Sequence, residues 1–344
     1  MANWKKITIV TDENEICEAQ APVIISASRS TDIPAFYANW FIDRLNKGYI
    51  EWKNPFNGIP IYVSFKKTRV VVFWTKNPKP MMKHLDFLDK IIENYYFQYT
   101  LNDYEKEGFE RKVPSLDDRI KTFIELSEKI GKKRVIWRFD PLILTSEIDV
   151  KILLKKIEYI GDQIKDHTNK LVFSFADISI YKKVENNLRK EGVSFIEFSP
   201  QTMREFASGL QQLNKKWGFD IGTCAEKISL ERYNIKHNKC IDDDLMIDLF
   251  SEDKVLMKFL GVKFTEPDLF NNSATIIKKT QNLRDRGQRN ACGCIASKDI
   301  GQYNTCPHEC VYCYANTSRK TAKENYNRHL KNSHSASICP KEDS

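Results

Sequence analysis

"RVIWRFDP", residues 134–141, is apolar for most of its length and turns polar at its end, where Arg138 and Asp140 stand two positions apart. A near-continuous apolar run of this kind suits a strand buried on both faces of a parallel sheet. Five more segments follow the same plan: "VIISASR" (23–29), "VVVFWTKNP" (70–78), "YYFQYTLND" (95–103), "LVFSFAD" (171–177) and "FDIGTCAE" (219–226). Each ends in polar or charged residues.

Helical patterns lie between most of these strands. "PAFYANWFIDRLNKG" carries Pro34 near its first turn and stops at Gly48. "SLDDRIKTFIELSEKIG" opens on Ser115 as N-cap, with Asp118 three positions on, and stops at Gly131. "EIDVKILLKKIEYIGDQI" and "SPQTMREFASGLQQLNKKWG" read the same way, and a shorter helix is expected around "PMMKHLDFLDKIIENY". Alternating strands and helices give an α/β fold. Six units fit an incomplete parallel (β/α)6-type barrel better than a closed eight-stranded one, with a doubly wound sheet as the alternative. The expected organisation is a partial barrel over 1–230, a cysteine-rich segment over 231–331 packing on the barrel mouth, and a disordered tail over 332–344.

In either architecture the chemistry belongs at the C-terminal ends of the strands. Side chains two apart on a strand share a face. Arg138 and Asp140 therefore read as a catalytic pair or as an internal ion pair bracing the sheet. Lys76 reads as an anion binder or a solvated strand end, and Glu226 as a base or a ribose contact. Ser26, Ser28, Arg29 and Asp32 crowd the end of the first strand.

The 344 residues carry 54 Lys+Arg and 46 Asp+Glu, a net +8 that permits a nucleic-acid partner without demanding one. No apolar run is long enough for a membrane span and the N-terminus lacks a secretory h-region, so a cytoplasmic location is expected. There is no Walker loop, H-E-x-x-H motif or Ser-His-Asp arrangement. With six His in the chain, general-base catalysis by His is a poor expectation.

Nine cysteines remain to be explained, and seven of them fall between 224 and 313. Clustered thiols in a reducing compartment read as metal or catalytic sites. "NTCPHECVYCYANTS" (304–318) sets Cys306, Cys310 and Cys313 in C-x3-C-x2-C spacing. Three thiolates on a 4Fe–4S cluster leave one iron open. A zinc knuckle completed by His308 is the alternative. Cys224, Cys240, Cys292 and Cys294 make a second set of four, the number that a closed 4Fe–4S or zinc site requires. Arg286, Gln288 and Arg289 adjoin that set. Cys17 and Cys339 read as incidental.

The C-x3-C-x2-C spacing, with Tyr312 directly before the last cysteine, resembles the radical S-adenosylmethionine superfamily. That resemblance implies a 4Fe–4S cluster on the three thiolates, S-adenosylmethionine on its open iron, a 5′-deoxyadenosyl radical as product, and a flavodoxin or ferredoxin as electron donor. It implies Tyr312 beside the adenine. The stretches "SASRSTDIPAFY", "FWTKNP", "WRFDP", "TCAE", "QRNACGCIASKDIGQYNTC" and "CVYCYAN" resemble domain of unknown function family eighteen-forty-eight, from about residue 22 to 316. In the superfamily the cluster loop follows the first strand, whereas here it follows all six. A circularly permuted barrel reconciles the two, with Ser26, Ser28, Arg29 and Asp32 replacing the glycine-rich turn that holds the methionine amino group. The rival expectation is a non-catalytic, metal-stabilised nucleic-acid-binding protein.

Overall fold

The computed structural model describes residues 4–55, 57–92, 94–264, 276–279 and 282–340. Eight strands share one sheet: β1 Ile24–Ala27, β2 Val70–Thr75, β3 Tyr95–Thr100, β4 Val135–Leu142, β5 Lys170–Phe175, β6 Asp220–Thr223, β7 Ile235–His237 and β8 Lys298–Asp299. Their order across the sheet is β7-β6-β5-β4-β3-β2-β1-β8, and every neighbouring pair is parallel. The order is sequential except that the last strand lies beside the first.

The six expected strands are β1 to β6. β7 and β8 were not foreseen, and both lie beyond residue 230. Two strands past the expected boundary at residue 230 extend the same sheet. A smaller four-stranded sheet was also not foreseen. It is built in the order Lys6–Val10, Ile16–Gln20, Pro60–Ser64 and Tyr49–Lys53.

Alternate residues along each strand feed two separate cores, as the two-residue period of a strand requires. Ile25, Val71, Phe73, Phe97, Trp137, Leu171 and Phe173 pack with the helices. Five helices concern the site: α1 Ala38–Lys47, α2 Leu116–Ile130, α3 Val150–Ile164, α4 Pro200–Trp217 and α5 Arg319–Lys331. Ile24, Val70, Val72, Tyr96, Ile136 and Val172 face the other way and pack on Cys240, Ile241, Met246, Phe250, Cys292, Cys294 and Ile295.

The helix ends follow their local signals. Ser115 accepts from the Asp118 amide at α2, and the Gly131 amide closes on Ser127. Ser199 and Thr202 form a capping box at α4, which Gly218 ends in the left-handed region (φ 70°). The helix expected over 80–95 is instead two pieces, Lys79–Met82 and Leu85–Ile91, because His84 leaves the helical region (φ −113°).

β7 and β8 sit at opposite edges of the sheet, yet the chain beside them meets. The Ile295 amide donates to the Ile241 carbonyl at 3.1 Å. The 332–340 stretch, expected to be disordered, packs on the fold. Trp40 Nε1 donates to the Ser335 carbonyl, the Glu51 amide donates to Ala336, and Ile338 is 1% exposed. Residues 341–344 lie outside the described residues. Among the described residues no helix is long and apolar enough to cross a membrane.

Candidate functional site

The loop that carries Cys306, Cys310 and Cys313 runs from β8 to α5. One carboxylate ties its start to β1. Asp299 accepts from Ser26 Oγ (2.9 Å), Ser28 Oγ (2.6 Å), the Arg29 amide (2.9 Å) and the Gly301 amide (3.0 Å). A methyl group on Gly301 would stand 1.9 Å from Ser28 Oγ, so only glycine permits this approach. Ser26 and Ser28, expected at a cofactor, thus spend their hydroxyl protons on Asp299.

The rest of the loop is clamped from two sides. Tyr37 Oη donates to the Thr305 carbonyl at 2.5 Å, and Tyr314 Oη donates to the Arg29 carbonyl at 3.0 Å. The Val311 amide bonds Phe109, and the Lys112 amide bonds His308. The cysteine loop consequently lies over the C-terminal ends of the strands, beside the segment that follows β3. His308 is held at both ring nitrogens, by Asp32 Oδ2 (2.7 Å) and the Lys112 carbonyl (3.2 Å), which leaves it poorly placed to ligate zinc.

A buried polar network stands under the loop. Glu110 accepts from Tyr312 Oη, from Lys76 Nζ (2.7 Å), from Asn102 Nδ2 (3.0 Å) and from Arg119 Nη1 (3.1 Å). Burial works to raise the Glu110 pKa, but Lys76 and Arg119 outweigh it and hold the carboxyl at about 2. Lys76 also reaches Tyr312 Oη at 2.9 Å. Lys76, expected at a cofactor, is ion-paired with Glu110. Burial pushes the Cys306 thiol up to about 12, with Asp32 adding to the effect. Burial likewise raises Cys310 and Cys313, and Lys76 opposes it at both.

The second set of cysteines converges from three distant stretches of chain onto the face of the sheet opposite the helices. Cys224 and Cys240 place their sulfurs 3.6 Å apart. Cys294 Sγ accepts from the Cys240 amide (3.2 Å) and the Ile241 amide (3.4 Å). Cys292 is hydrogen-bonded to Cys294, which holds its thiol down at about 7 against burial. Cys240, Cys292 and Cys294 are 1%, 7% and 3% exposed, and Cys224 is half-buried.

Arg138 Nη1 contacts Cys240 Sγ at 2.9 Å while Nη2 pairs with Asp140, which also accepts from Ser174. The internal ion pair expected of Arg138 and Asp140 is present, and Arg138 in addition faces sulfur. Arg29 and Arg138 lie against the Trp74 ring, 5.3 and 5.1 Å from its centre. Arg29 Nη2 and Trp74 Nε1 are buried with no hydrogen-bond partner. Glu226 is 5% exposed and accepts from the Phe175 amide at 2.9 Å; burial raises its carboxyl to about 7. A cavity of about 440 Å³, lined by His237, Lys239, Asn290, Cys292 and Gly293 among others, opens beside Cys292.

Neither Glu110 nor Asp299 stands out in the sequence. Glu110 lies in "DYEKEGFERKVP", where the neighbouring charges hide it, and Asp299 belongs to a two-residue strand with no periodicity of its own.

A family model for a domain of unknown function, DUF1848, matches residues 24–315. The chain belongs to the DUF1848 family. That stretch spans all eight strands and both cysteine sets of this DUF1848 chain. No curated protein matches it. Among solved structures, a protein described as a "putative alpha-L-fucosidase" from Bacteroides thetaiotaomicron VPI-5482 is similar at 12% identity and a TM-score of 0.22, over 50% of this chain and 77% of that one. At that TM-score the likeness carries no argument about fold or activity.

Proposed function

We propose that this DUF1848 chain is an iron–sulfur enzyme of the radical S-adenosylmethionine type, with Cys306, Cys310 and Cys313 as the cluster ligands. The observation that carries the reading is the place of β8. It enters the sheet parallel to β1, at Lys298–Ile25 and Asp299–Ser26, and leads at once into the three-cysteine loop and then α5. Read in sheet order, a strand–loop–helix unit precedes β1, as in a (β/α) barrel whose first unit has moved to the C-terminus.

The donor set fits a cluster better than one metal ion. Four sulfurs around zinc stand about 3.8 Å from one another, given Zn–S near 2.3 Å in a tetrahedron. Among the described residues, the group of three with ligand atoms within 4.8 Å of one another is Asp242, Asp243 and Asp244, not the cysteines. Cys306, Cys310 and Cys313 would hold a 4Fe–4S cluster, which with S-adenosylmethionine and a one-electron donor would supply cleavage of the sulfonium to methionine and a 5′-deoxyadenosyl radical.

The chain's own residues then have definite tasks. Lys76 supplies positive charge beside Cys310. Glu110 accepts a hydrogen bond from the Tyr312 hydroxyl and so fixes the ring next to Cys313. The 109–112 segment and Tyr37 hold the loop against the sheet, with the three thiols half-buried. Glu226, poised near neutrality, can take or give a proton at the strand ends. A small electron donor such as flavodoxin or ferredoxin completes the system.

Anaerobic reconstitution with iron and sulfide, then incubation with S-adenosylmethionine and dithionite, tests the reading. Release of 5′-deoxyadenosine by the native chain and none by Cys310→Ala is expected. No release by a native chain that holds iron, or full release by Cys310→Ala, overturns it.

A further inference from the structure

Cys224, Cys240, Cys292 and Cys294 lie outside the three-cysteine loop, and nothing in the function proposed above uses them. We infer that these four form a second metal centre, a four-thiolate iron–sulfur cluster set in the seam between the two edges of the parallel sheet.

The seam itself makes the site. Cys240 follows β7 at one edge, and Cys292 and Cys294 precede β8 at the other. The Ile295 amide bonds Ile241 there, and Cys294 Sγ takes both the Cys240 and Ile241 amides. Cys224 reaches in from the end of β6 and touches Cys240. Backbone amides aimed at sulfur are the outer-shell support that metal-bound thiolates receive.

Charge points the same way. Neutral thiols need no cation. Here Arg138 gives one N–H to Cys240 Sγ, Asn238 Nδ2 stands 3.3 Å from the same sulfur, and Arg29 shares the Trp74 ring with Arg138. Two guanidinium groups in one buried region are costly unless anions face them. Each arginine has a nearby carboxylate, Asp140 for Arg138 and Asp299 at the Arg29 amide, yet Arg29 Nη2 remains buried without a hydrogen bond. Four thiolates on iron and sulfide supply the missing negative charge.

Cys224 and Cys240 stand at the spacing of two thiolates on one metal ion, but the other sulfurs do not close around it. The four run in a chain, Cys224 to Cys240 to Cys294 to Cys292, and no three of them lie within 4.8 Å of one another. A single zinc would gather all four at about 3.8 Å. Four cysteines serve either a two-iron or a four-iron cluster.

This centre does not depend on the three-cysteine loop being catalytic, and the test separates the two. The full chain carrying Cys306→Ala, Cys310→Ala and Cys313→Ala is reconstituted anaerobically with ferrous iron and sulfide. It should keep about two or about four iron per chain with matching acid-labile sulfide while releasing no 5′-deoxyadenosine. Adding Cys240→Ser and Cys294→Ser should remove that iron. A folded triad variant with no iron, or one that holds zinc and no sulfide, overturns the proposal. Should the triad variant fail to fold, Mössbauer spectra of the native chain decide. Two distinct cluster signals are expected, and a single signal with about four iron overturns the second centre.

Discussion

Asp299 accepts four hydrogen bonds from the end of β1 and from Gly301, and so holds β8 against the sheet. Removing it leaves those donors unmatched, and each buried donor without a partner costs about 1–3 kcal/mol. Asp299→Ala should therefore lower unfolding stability by at least about 2–3 kcal/mol in urea titration, whereas an exposed change such as Lys320→Ala should leave it unaltered. His329 offers a test in pH. It is 3% exposed on α5, with its ring 4.6 Å from Tyr37, and burial pulls its pKa down to about 4. The unfolded chain takes up that proton near pH 6.5 and the folded chain near pH 4, so stability falls as pH drops through this window. Native melting temperature should decline from pH 6.5 to 4 more steeply than that of His329→Gln. Equal slopes would rule out His329 as the group responsible.

Among the elements, β8, its loop and α5 act as one unit. α5 buries Ala322 and presents His329 to Tyr37 and to Trp40 of α1, and the chain after it returns so that Ser335 meets Trp40 and Ile338 is buried. A fully buried Ile contributes about 1.5–3 kcal/mol. A chain that ends at residue 318 should thus melt more than about 5 °C lower by circular dichroism. It should also bind less iron, because Tyr37 loses the aromatic partners that orient it toward the Thr305 carbonyl. A truncated chain with native melting and native iron would show that α5 is dispensable to the loop. The element ends were legible beforehand at α2 and α4, where Ser115, Gly131, Ser199 and Gly218 act within one turn of the boundary. The short strand β8 was not legible, since Lys298 and Asp299 have no strand pattern until β1 pairs with them.

At the scale of the molecule, the two edges of the sheet are joined through the segments that carry the four-cysteine set. Metal bound there would cross-link chain stretches some seventy residues apart in sequence, from Cys224 to Cys294. Binding to the folded state alone raises stability by mass action. Stripping metal anaerobically with a chelator should accordingly lower the melting temperature of the whole chain in one cooperative step. A drop confined to a small early transition would place the metal's influence on the three-cysteine loop instead.

The parallel α/β class, six of the eight strands, most helix boundaries and the three-thiol loop could be read from the residues alone. Each depends on signals that act over a few positions: apolar runs, caps, and a thiol spacing held within eight residues. The partner of β8, the gathering of four cysteines at the seam, the grip of Asp299 on Ser26 and Ser28, and the pairing of Glu110 with Lys76 and Tyr312 came only with the folded chain. These contacts join residues tens to hundreds of positions apart. No local preference encodes them, because each arises only once the sheet has set which strand ends lie side by side and which charges are buried together.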